Sequence, residues 1–370
     1  MRSLLLIILS FVVTIIAWGV YGPVLHWGQH EMSTIGRFAR MRPFVCVGMA
    51  YFAIGVVVPA IVLTLKGESG QWTMKGIVYS LAGGALGAIG ALGIIMAFTF
   101  GGKPVYVMPL VFGGAPVVNS FLTITLAKRL KDIGPVFLAG LVMVVLGAVT
   151  VLINQPKAKS AKPQAEVVAA QADSAVTEAD AGAKPDSRPM RDFLLQIASI
   201  ATIIVCWGAY GPVLHKGQAA MNHSRLRPLL CVGLAYFAIA VVVPELWLTV
   251  SHEPSAYTWN GTIWSLAAGS AGAIGALGII MAFNFGGKPV YVMPLVFGGA
   301  PVVNTLFTTT TNGLWGSIPP LFYSGLILVI AGAAMVLVFA PKGPPPAKVE
   351  SPDSSETDAA ETVGEDATAR

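Results

Sequence analysis

The chain has 370 residues, of which 55% are hydrophobic and only 11% are charged, and its formal net charge is +5. Soluble globular domains carry about a quarter charged residues, so this composition excludes an ordinary soluble domain. The basic residues are spread over short connectors between apolar segments, which argues against a nucleic-acid-binding surface. The sequence therefore predicts an all-α integral membrane protein.

Apolar segments follow one another along the chain, each close to the roughly 20 residues that a helix needs to cross about 30 Å of hydrocarbon. The ten predicted transmembrane helices are 3–25, 43–65, 77–100, 108–126, 135–153, 193–215, 228–250, 262–285, 293–311 and 320–341. The first segment follows Arg2 in the manner of a signal peptide. Its closing sequence, WGVYGPVLH, recurs inside the chain as WGAYGPVLH at 207–215, so we expect it to be retained as a helix.

Two stretches lack the apolar surface that folding requires. Segments 154–192 and 342–370 hold six and seven, respectively, of the 18 acidic residues. The first is predicted to be a disordered polar linker and the second a disordered acidic tail. Recruitment of a protein partner by either stretch is the alternative to a plain solvated connector.

An internal repeat organises the rest of the chain. Residues 87–119 recur at 272–304 with a single change, from Thr99 to Asn284. Similarity at one fixed spacing along a sequence indicates duplication of a structural unit. The sequence therefore predicts two five-helix units, a first repeat at 1–153 and a second at 193–341.

The odd number of helices in each unit decides their relation. A helix and its copy must start on opposite faces of the membrane, so the units are predicted to be inverted repeats about an axis in the membrane plane, as in many secondary transporters. Basic connectors favour cytoplasmic N- and C-termini and a plasma (inner) membrane location. The first loop departs from this charge rule because it carries Arg37, Arg40 and Arg42.

Small residues in the third helix of each unit lead through a tight turn into a proline-containing fourth helix. This passage reads MAFTFGGKPVYVMPLVFGGAPVVN at 96–119 and is copied at 281–304. In these features the chain resembles the drug/metabolite transporter superfamily, specifically its EamA-like units. The resemblance implies alternating-access transport of small organic solutes and carries no substrate with it. Near-identity between the halves and the long linker depart from the family pattern.

Prolines and asparagines in the fourth and ninth segments form the candidate substrate site. A proline has no N–H and clashes with the carbonyl four residues earlier, so it interrupts a helix where a solute could bind. An amide near mid-membrane offers one acceptor and two donors. Packing kinks and interhelical hydrogen bonds are the alternatives. The candidate substrate-binding residues are Asn119, Asn304, Pro116, Pro301, Tyr106 and Tyr291.

Charged and titratable residues near the segment ends are candidates for gating or coupling. Lys103 and Lys288 lie in identical GGKPVYV turns, where they could attract an anionic solute or reach the headgroups. His26 and His215 titrate near neutral pH and are candidates for proton coupling or for gates. Glu245, the only carboxylate inside a predicted span, is the first candidate for a proton site, and an interfacial position is its alternative.

Repeated aromatic residues and glycines have structural explanations. Beside the histidines lie Trp18 and Tyr21 in the first half and Trp207 and Tyr210 in the second, which the sequence favours as an interfacial belt. Glycines recur at every third position of the third and eighth helices, which is typical of close helix packing. They are Gly84, Gly87, Gly90 and Gly93 with their copies Gly269, Gly272, Gly275 and Gly278.

These features favour a secondary transporter of a small polar organic metabolite. No catalytic constellation and no metal-ligand pattern is evident, so we expect no enzyme activity, no metal and no cofactor. The expected partners are a small-molecule solute and the lipid bilayer, and a homodimer is compatible with the sequence. A membrane scaffold or solute sensor is the main alternative. An intramembrane enzyme would require Glu245 and His215 to be adjacent.

Overall fold

The fold is helical throughout the residues that the structure describes. This computed structural model describes residues 2–34, 38–126, 128, 131, 133–154, 188–251, 253–285 and 289–339. Within them, a single antiparallel bridge between Ser33 and Ser255 is the only β-type pairing. Most of the predicted linker and the whole predicted tail lie outside the described residues, as does Lys288.

The first half runs from α1 to α6. Its helices are α1 (Arg2–Glu31), α2 (Met41–Phe52), α3 (Val58–Lys66), α4 (Met74–Thr99), α5 (Pro104–Leu126) and α6 (Pro135–Ile153). A π-helical turn, Ala53–Val57, joins α2 to α3 into one continuous rod. Helix α5 runs through Pro109 and Pro116 without a break, so the interruption expected at Pro116 does not occur.

The second half repeats this order. Its helices are α7 (Arg188–Ala220), α8 (Leu226–Phe237), α9 (Val243–Val250), α10 (Trp259–Asn284), α11 (Pro289–Thr311) and α12 (Pro320–Phe339). The π-helical turn Ala238–Val242 joins α8 to α9. Helix α7 begins at Arg188, inside the stretch predicted as linker, and α11 is continuous through Pro301.

Both π-helical turns lie just before a proline. Pro59 and Pro244 each occupy the second position of the helix that follows. A proline cannot donate to the carbonyl four residues earlier, and its ring clashes with that carbonyl. The backbone widens instead, and Val58 donates to the carbonyl of Ala53, five residues back. Among the described residues, the irregular turns therefore lie in the rods α2–α3 and α8–α9, and not in the fourth and ninth predicted segments.

Seven helices of the described chain are long and apolar enough to cross a membrane, judged by length and composition. They cover 4–31, 41–66, 74–99, 104–122, 190–220, 226–250 and 259–282. Shorter apolar stretches occur in α6 and α12. Many large apolar side chains face outward, including Leu65, Leu146 and Leu246. A soluble protein rarely exposes so much apolar surface, so these helices indicate a multi-pass membrane protein.

The halves pack through reciprocal contacts. Helix α1 packs along α10, and its copy α7 packs along α4. Helices with the same position in the two halves also meet, as α6 does with α12 and α5 with α11. The rings of Tyr51 and Tyr236 stack with their centroids 3.6 Å apart. Contacts that recur with the halves exchanged are the pattern that a two-fold relation produces.

Each half supplies a glutamate that caps a helix of the other half. Glu68 accepts hydrogen bonds from the backbone N–H groups of Arg225 and Leu226, at the start of α8, at 2.8 and 3.2 Å. Glu253 accepts from Arg40 and Met41, at the start of α2, at 2.8 and 3.2 Å. A carboxylate at a helix N-terminus pairs with unsatisfied N–H groups and with the helix dipole.

The same contacts explain the basic first loop. Arg42 donates to the carbonyl of Glu253 and to the hydroxyl of Ser255, and its guanidinium lies over the ring of Tyr257. In the other half, Arg225 forms an ion pair with Glu68 at 3.0 Å. Arg42 thus lies in a contact between the halves, where packing as well as membrane charge favours an arginine, whereas Arg40 takes part through its backbone N–H.

The Glu68 cap predicts a pH-dependent contribution to stability. Burial acts to raise the pKa of Glu68, but hydrogen bonds from Ser224, Arg225 and Leu226 outweigh it and hold the pKa below its ordinary value. A lowered pKa means that the stabilisation is present above the unfolded-state pKa and is lost as the pH falls through the folded-state value.

We expect Glu68→Ala to lower the free energy of unfolding by about 2 kcal/mol at neutral pH, because it leaves buried N–H groups unpaired. Thermal unfolding in detergent, followed from pH 7 downward, should show the difference from the unmodified protein shrinking in acid. Glu31→Ala is the control, since Glu31 is an exposed carboxylate at the end of α1. An equal loss in both variants would contradict the capping role.

Candidate functional site

A cavity of about 480 Å³ lies between the two halves. Its walls come mainly from α1, α7 and α10, with single contributions from α2, α4, α5, α8 and α11. Aromatic side chains from both halves dominate the lining. They are Trp18, Tyr21, Tyr51, Trp207, Tyr210, Tyr236 and Phe297. The tryptophans and tyrosines expected to form an interfacial belt therefore line the centre of the bundle.

Glycines on α4 and α10 make room for these rings. A Cβ atom at Gly90 would overlap the indole of Trp207, and one at Gly275 would overlap the indole of Trp18. Each indole N–H donates to a glycine carbonyl one helical turn before the glycine that it packs on. Trp207 donates to Gly87 and Trp18 to Gly272, both at 3.3 Å. The glycine spacing therefore serves close packing, as predicted. The middle two glycines of each set, Gly87 and Gly90 with their copies Gly272 and Gly275, pack against aromatic walls of the cavity.

The tyrosines bring hydroxyl groups into an otherwise apolar space. Tyr51 and Tyr236 stack face to face across the two halves. Tyr21 is 3% exposed, and its hydroxyl has no hydrogen-bond partner among the described residues. A buried hydroxyl without a partner is costly, and in a cavity it is available to a ligand or to water.

The structure separates the predicted asparagines. Asn119 lines the cavity, half-buried, with its amide nitrogen directed at Gly211. Asn304 is fully buried outside the lining, and its amide donates to the carbonyl of Pro104 at 3.0 Å. The first therefore has the placement of a binding residue and the second that of an interhelical hydrogen bond.

Three of the other predicted substrate residues lie away from the cavity. Pro116 and Pro301 are buried inside continuous helices. The hydroxyl of Tyr106 donates to the carbonyl of Gly101 and accepts from Gln196, both within α4–α5 and α7 packing. The side chain of Tyr291 lies outside the described part of the chain.

The predicted gating residues divide between the two ends of the bundle. His215 lines the cavity near the end of α7. His26 and Lys103 line a second cavity, of about 630 Å³, near the end of α1. Glu245 lies apart from both, exposed on α9, where it accepts a hydrogen bond from the hydroxyl of Tyr257 at 2.8 Å. In the described chain no group of three or more acidic, His or Cys residues could hold a metal ion.

The main cavity opens at one end of the bundle. Its lining follows α7 as far as Gln218 but follows α1 only as far as Tyr21. We call the end with His215, Lys216 and Gln218 the Lys216 face. The opposite end, with Gln29, Thr99 and Lys103, is the Lys103 face. His215 and Lys216 are exposed, so the mouth lies on the Lys216 face.

Hydrogen bonds separate this cavity from the Lys103 face, where the second cavity of about 630 Å³ lies. Gln29 is 1% exposed, and its amide donates to the carbonyl of Ile95 at 3.2 Å and to the hydroxyl of Thr99 at 2.9 Å. The ring of His26 packs edge-on against Phe98, with centroids 5.1 Å apart. Together with the Asn304–Pro104 bond, these contacts join α1, α4, α5 and α11 below the cavity.

Several of these residues were not singled out by sequence reasoning, although each is duplicated. Gln29 and Gln218 stand at the same position in HWGQ and HKGQ, and Tyr51 and Tyr236 lie in the repeated AYFAI. A comparison restricted to polar and aromatic residues that recur in both halves would have selected all four. Their roles as closure and wall depend on packing between the halves, which the repeat alone does not show.

Comparison with known proteins bears on the fold only. No family model matches the chain, and no curated protein matches it. Twelve solved chains match its structure. One of them, described only as a crystal structure of a protein, superposes over 90% of this chain and 99% of its own length, at 16% identity with a TM-score of 0.52. At that identity the similarity concerns the fold and carries no activity.

The contact between Gly90 and Trp207 predicts that two glycine substitutions differ sharply in their effect on stability. We expect Gly90→Ala to lower the free energy of unfolding by about 1–3 kcal/mol, because the rigid indole of Trp207 must move away from the new methyl group. Gly298→Ala is the matched control, since its nearest neighbour would be at an ordinary contact distance of 3.7 Å. Thermal unfolding in detergent measures both, and equal stability of the two variants would contradict the role of Gly90.

Proposed function

We propose that this protein is a secondary transporter that moves a small polar organic solute by alternating access between two inverted five-helix repeats. The repeats are 1–153 and 193–341, with ten membrane-spanning helices in all. The duplicated sequence, the odd number of helices per unit and the reciprocal packing of α1 on α10 and α7 on α4 support this arrangement. The resemblance to EamA-like units of the drug/metabolite transporter superfamily supports it further.

The observation that carries the proposal is the unequal closure of two nearly identical ends. Gln29 is hydrogen-bonded to α4, whereas its copy Gln218 lines the open cavity and makes no side-chain hydrogen bond with a described residue. Helix α1 contacts both α4 and α5, whereas among the described residues the equivalent helix α7 has few or no contacts with α10 and α11. A protein with two-fold related halves in one closed and one open arrangement has a second state of similar energy, with the roles exchanged.

The sequence difference within the repeat coincides with the closed end. Thr99 donates to the carbonyl of Ile95 at 2.8 Å, which fixes its hydroxyl against its own helix and leaves the oxygen facing Gln29. Its counterpart, Asn284, is exposed on the Lys216 face. We call the Gln29–Thr99 pair the Thr99 latch. The equivalent residue pair on the Lys216 face is Gln218 with Asn284, and this pair is open in this structure.

Membrane orientation follows from the same charge argument as before. With both termini cytoplasmic in a plasma (inner) membrane, the Lys216 face is the cytoplasmic side. Lys66, Lys75 and Lys216 lie at that end, together with Arg225 and Arg227. The structure then represents an inward-open state, and the Thr99 latch closes the outer side.

Two matched cysteine positions test alternating access without knowledge of the substrate. Ala276, which is 3% exposed, lines the cavity, whereas its repeat partner Ala91, 1% exposed, lies outside the lining. In a background with Cys46, Cys206 and Cys231 replaced by alanine, we expect Ala276→Cys to react with a membrane-impermeant thiol reagent from the Lys216 face only. Ala91→Cys should react slowly from either face. Equal reaction of the Ala276→Cys variant from both faces would contradict a one-sided cavity.

The Thr99 latch predicts how the preference for the state open at the Lys216 face can be changed. Gln29→Ala removes two hydrogen bonds from the closed end, each worth about 0.5–1.5 kcal/mol. We expect it to raise the labelling rate of Ala91→Cys from the Lys103 face by about 5- to 150-fold, from the population shift. Asn260→Ala, which removes an exposed amide from the start of α10, is the control.

Exchanging the two residues of the repeat should move the equilibrium in the same direction. In the double variant Thr99→Asn with Asn284→Thr, the better latch lies on the Lys216 face. Labelling of Ala276→Cys should then fall while that of Ala91→Cys rises. If neither rate changes in this variant or in Gln29→Ala, the two ends do not alternate and the transporter proposal fails.

A further inference from the structure

We propose that the cavity binds a planar aromatic carboxylate, held by the tyrosine hydroxyls and Asn119 between aromatic walls, with Lys216 at the mouth. This inference rests on the proposed transport function and names the substrate class. It is narrower than the sequence-based expectation of a neutral or zwitterionic polar metabolite. Three properties of the cavity carry it: its charge, its hydrogen-bond donors and its walls.

The charge of the lining excludes a cationic ligand. Among the described residues, no aspartate or glutamate lines the cavity, and its charged or titratable members are Lys216, His215 and the tyrosines. An aromatic cage can bind a quaternary ammonium group, but such a cation would lie in a water-poor site with Lys216 and without a carboxylate. Lys216 has no ion-pair partner among the described residues and lies 5.7 Å from the ring of Tyr79. Its charge favours entry of an anion.

Hydrogen-bond donors with free capacity lie inside the same space. The Tyr21 hydroxyl is buried and unpartnered, and the Asn119 amide makes no hydrogen bond with a described residue. Tyr51, Tyr210 and Tyr236 line the same cavity, and the rings of Tyr51 and Tyr236 stack there. Phenol and amide groups donate short, strong hydrogen bonds to carboxylate oxygens. The lining can therefore donate hydrogen bonds to the carboxylate of an organic acid.

The aromatic walls of the cavity can stack on the ring of such an acid. Because both indole N–H groups are bonded to backbone carbonyls, Trp18 and Trp207 present ring surface to the cavity. Phe297, Ile279 and Ile280 add further apolar surface. A volume of about 480 Å³ lies within the range of small-molecule sites and accommodates a two-ring acid. Stacking on aromatic side chains favours a flat ring over a saturated one.

Binding of matched probes to the full chain in lipid nanodiscs tests the class. The probes are 2-naphthoate, the neutral 2-naphthylmethanol, the cationic 2-naphthyltrimethylammonium, the saturated decalin-2-carboxylate and the zwitterion phenylalanine. Titration calorimetry should show 2-naphthoate binding at least tenfold more tightly than each of the other four. Tighter or equal binding of the cation, the alcohol, the saturated acid or phenylalanine would overturn the proposal.

Single-residue variants place the anion in the cavity. We expect Tyr21→Phe, which removes only the unpartnered hydroxyl, to weaken 2-naphthoate binding about tenfold, as loss of a hydrogen bond to a charged group implies. Lys216→Gln should weaken it about threefold, with the loss disappearing at high salt. Tyr323→Phe and Lys75→Gln are controls, because Tyr323 lies on α12 and Lys75 at the start of α4 on the same face. Unchanged binding in Tyr21→Phe would overturn the assignment.

The cysteine experiment separates failure of this inference from failure of the transport proposal. Bound 2-naphthoate should slow labelling of Ala276→Cys by at least fivefold and leave detergent-denatured protein unaffected. If the two latch variants shift labelling as expected while 2-naphthoate neither binds nor protects, the ligand class is wrong and alternating access stands. If the latch variants have no effect, the transport proposal is wrong whatever the probes do.

Discussion

The contact between a glycine in one half and an aromatic ring in the other sets the geometry of this protein. The indole of Trp207 occupies the space beside Gly90, and that of Trp18 occupies the space beside Gly275. Because a side chain larger than hydrogen would push the rings apart, these contacts bring α7 against α4 and α1 against α10. The cavity is the space that remains between the two packed pairs, and it is lined by the same indoles. Packing and the candidate binding site therefore depend on one set of contacts.

The duplicated sequence and the reciprocal contacts between the halves give the two ends of the bundle similar side chains, yet these side chains make different contacts at the two ends. On the Lys103 face, Gln29, Thr99 and Asn304 use their polar groups to bond one helix to another. On the Lys216 face, Gln218 and Asn119 present theirs to the cavity. Side chains at equivalent positions thus bond helices together at one end of the bundle and line the cavity at the other. Such a change of role is how alternation between two symmetric states would operate, and a Thr-to-Asn difference is enough to make the two states unequal.

Charge placement is consistent with this division of the molecule. The carboxylates Glu68 and Glu253 lie in loops, where each caps a helix of the opposite half. Glu245 lies on the outer surface with Tyr257. Among the described residues, no carboxylate lines the aromatic interior, so its polar character comes from hydroxyl and amide groups together with His215 and Lys216. Loop carboxylates that join the halves are compatible with a cavity that favours an anion, since they lie at the ends of the rods and not along the walls.

By itself, the sequence determined that the chain is helical and apolar enough for a membrane, because hydropathy and the lengths of apolar segments depend only on local composition. The duplication and the glycine spacing were also evident, since both are patterns along one chain. Asn119 and His215 were identified as site candidates for their chemistry, and the structure places both at the cavity. What only the tertiary structure decided is which copy of each pair faces the cavity. Asn119 and Asn304 are preceded by the same residues in sequence, and they differ in role because the two ends of the bundle are packed differently. The π-helical turns and the cross-half helix caps were likewise decided by the tertiary structure, because they depend on where a proline can be accommodated and on which loop meets which helix.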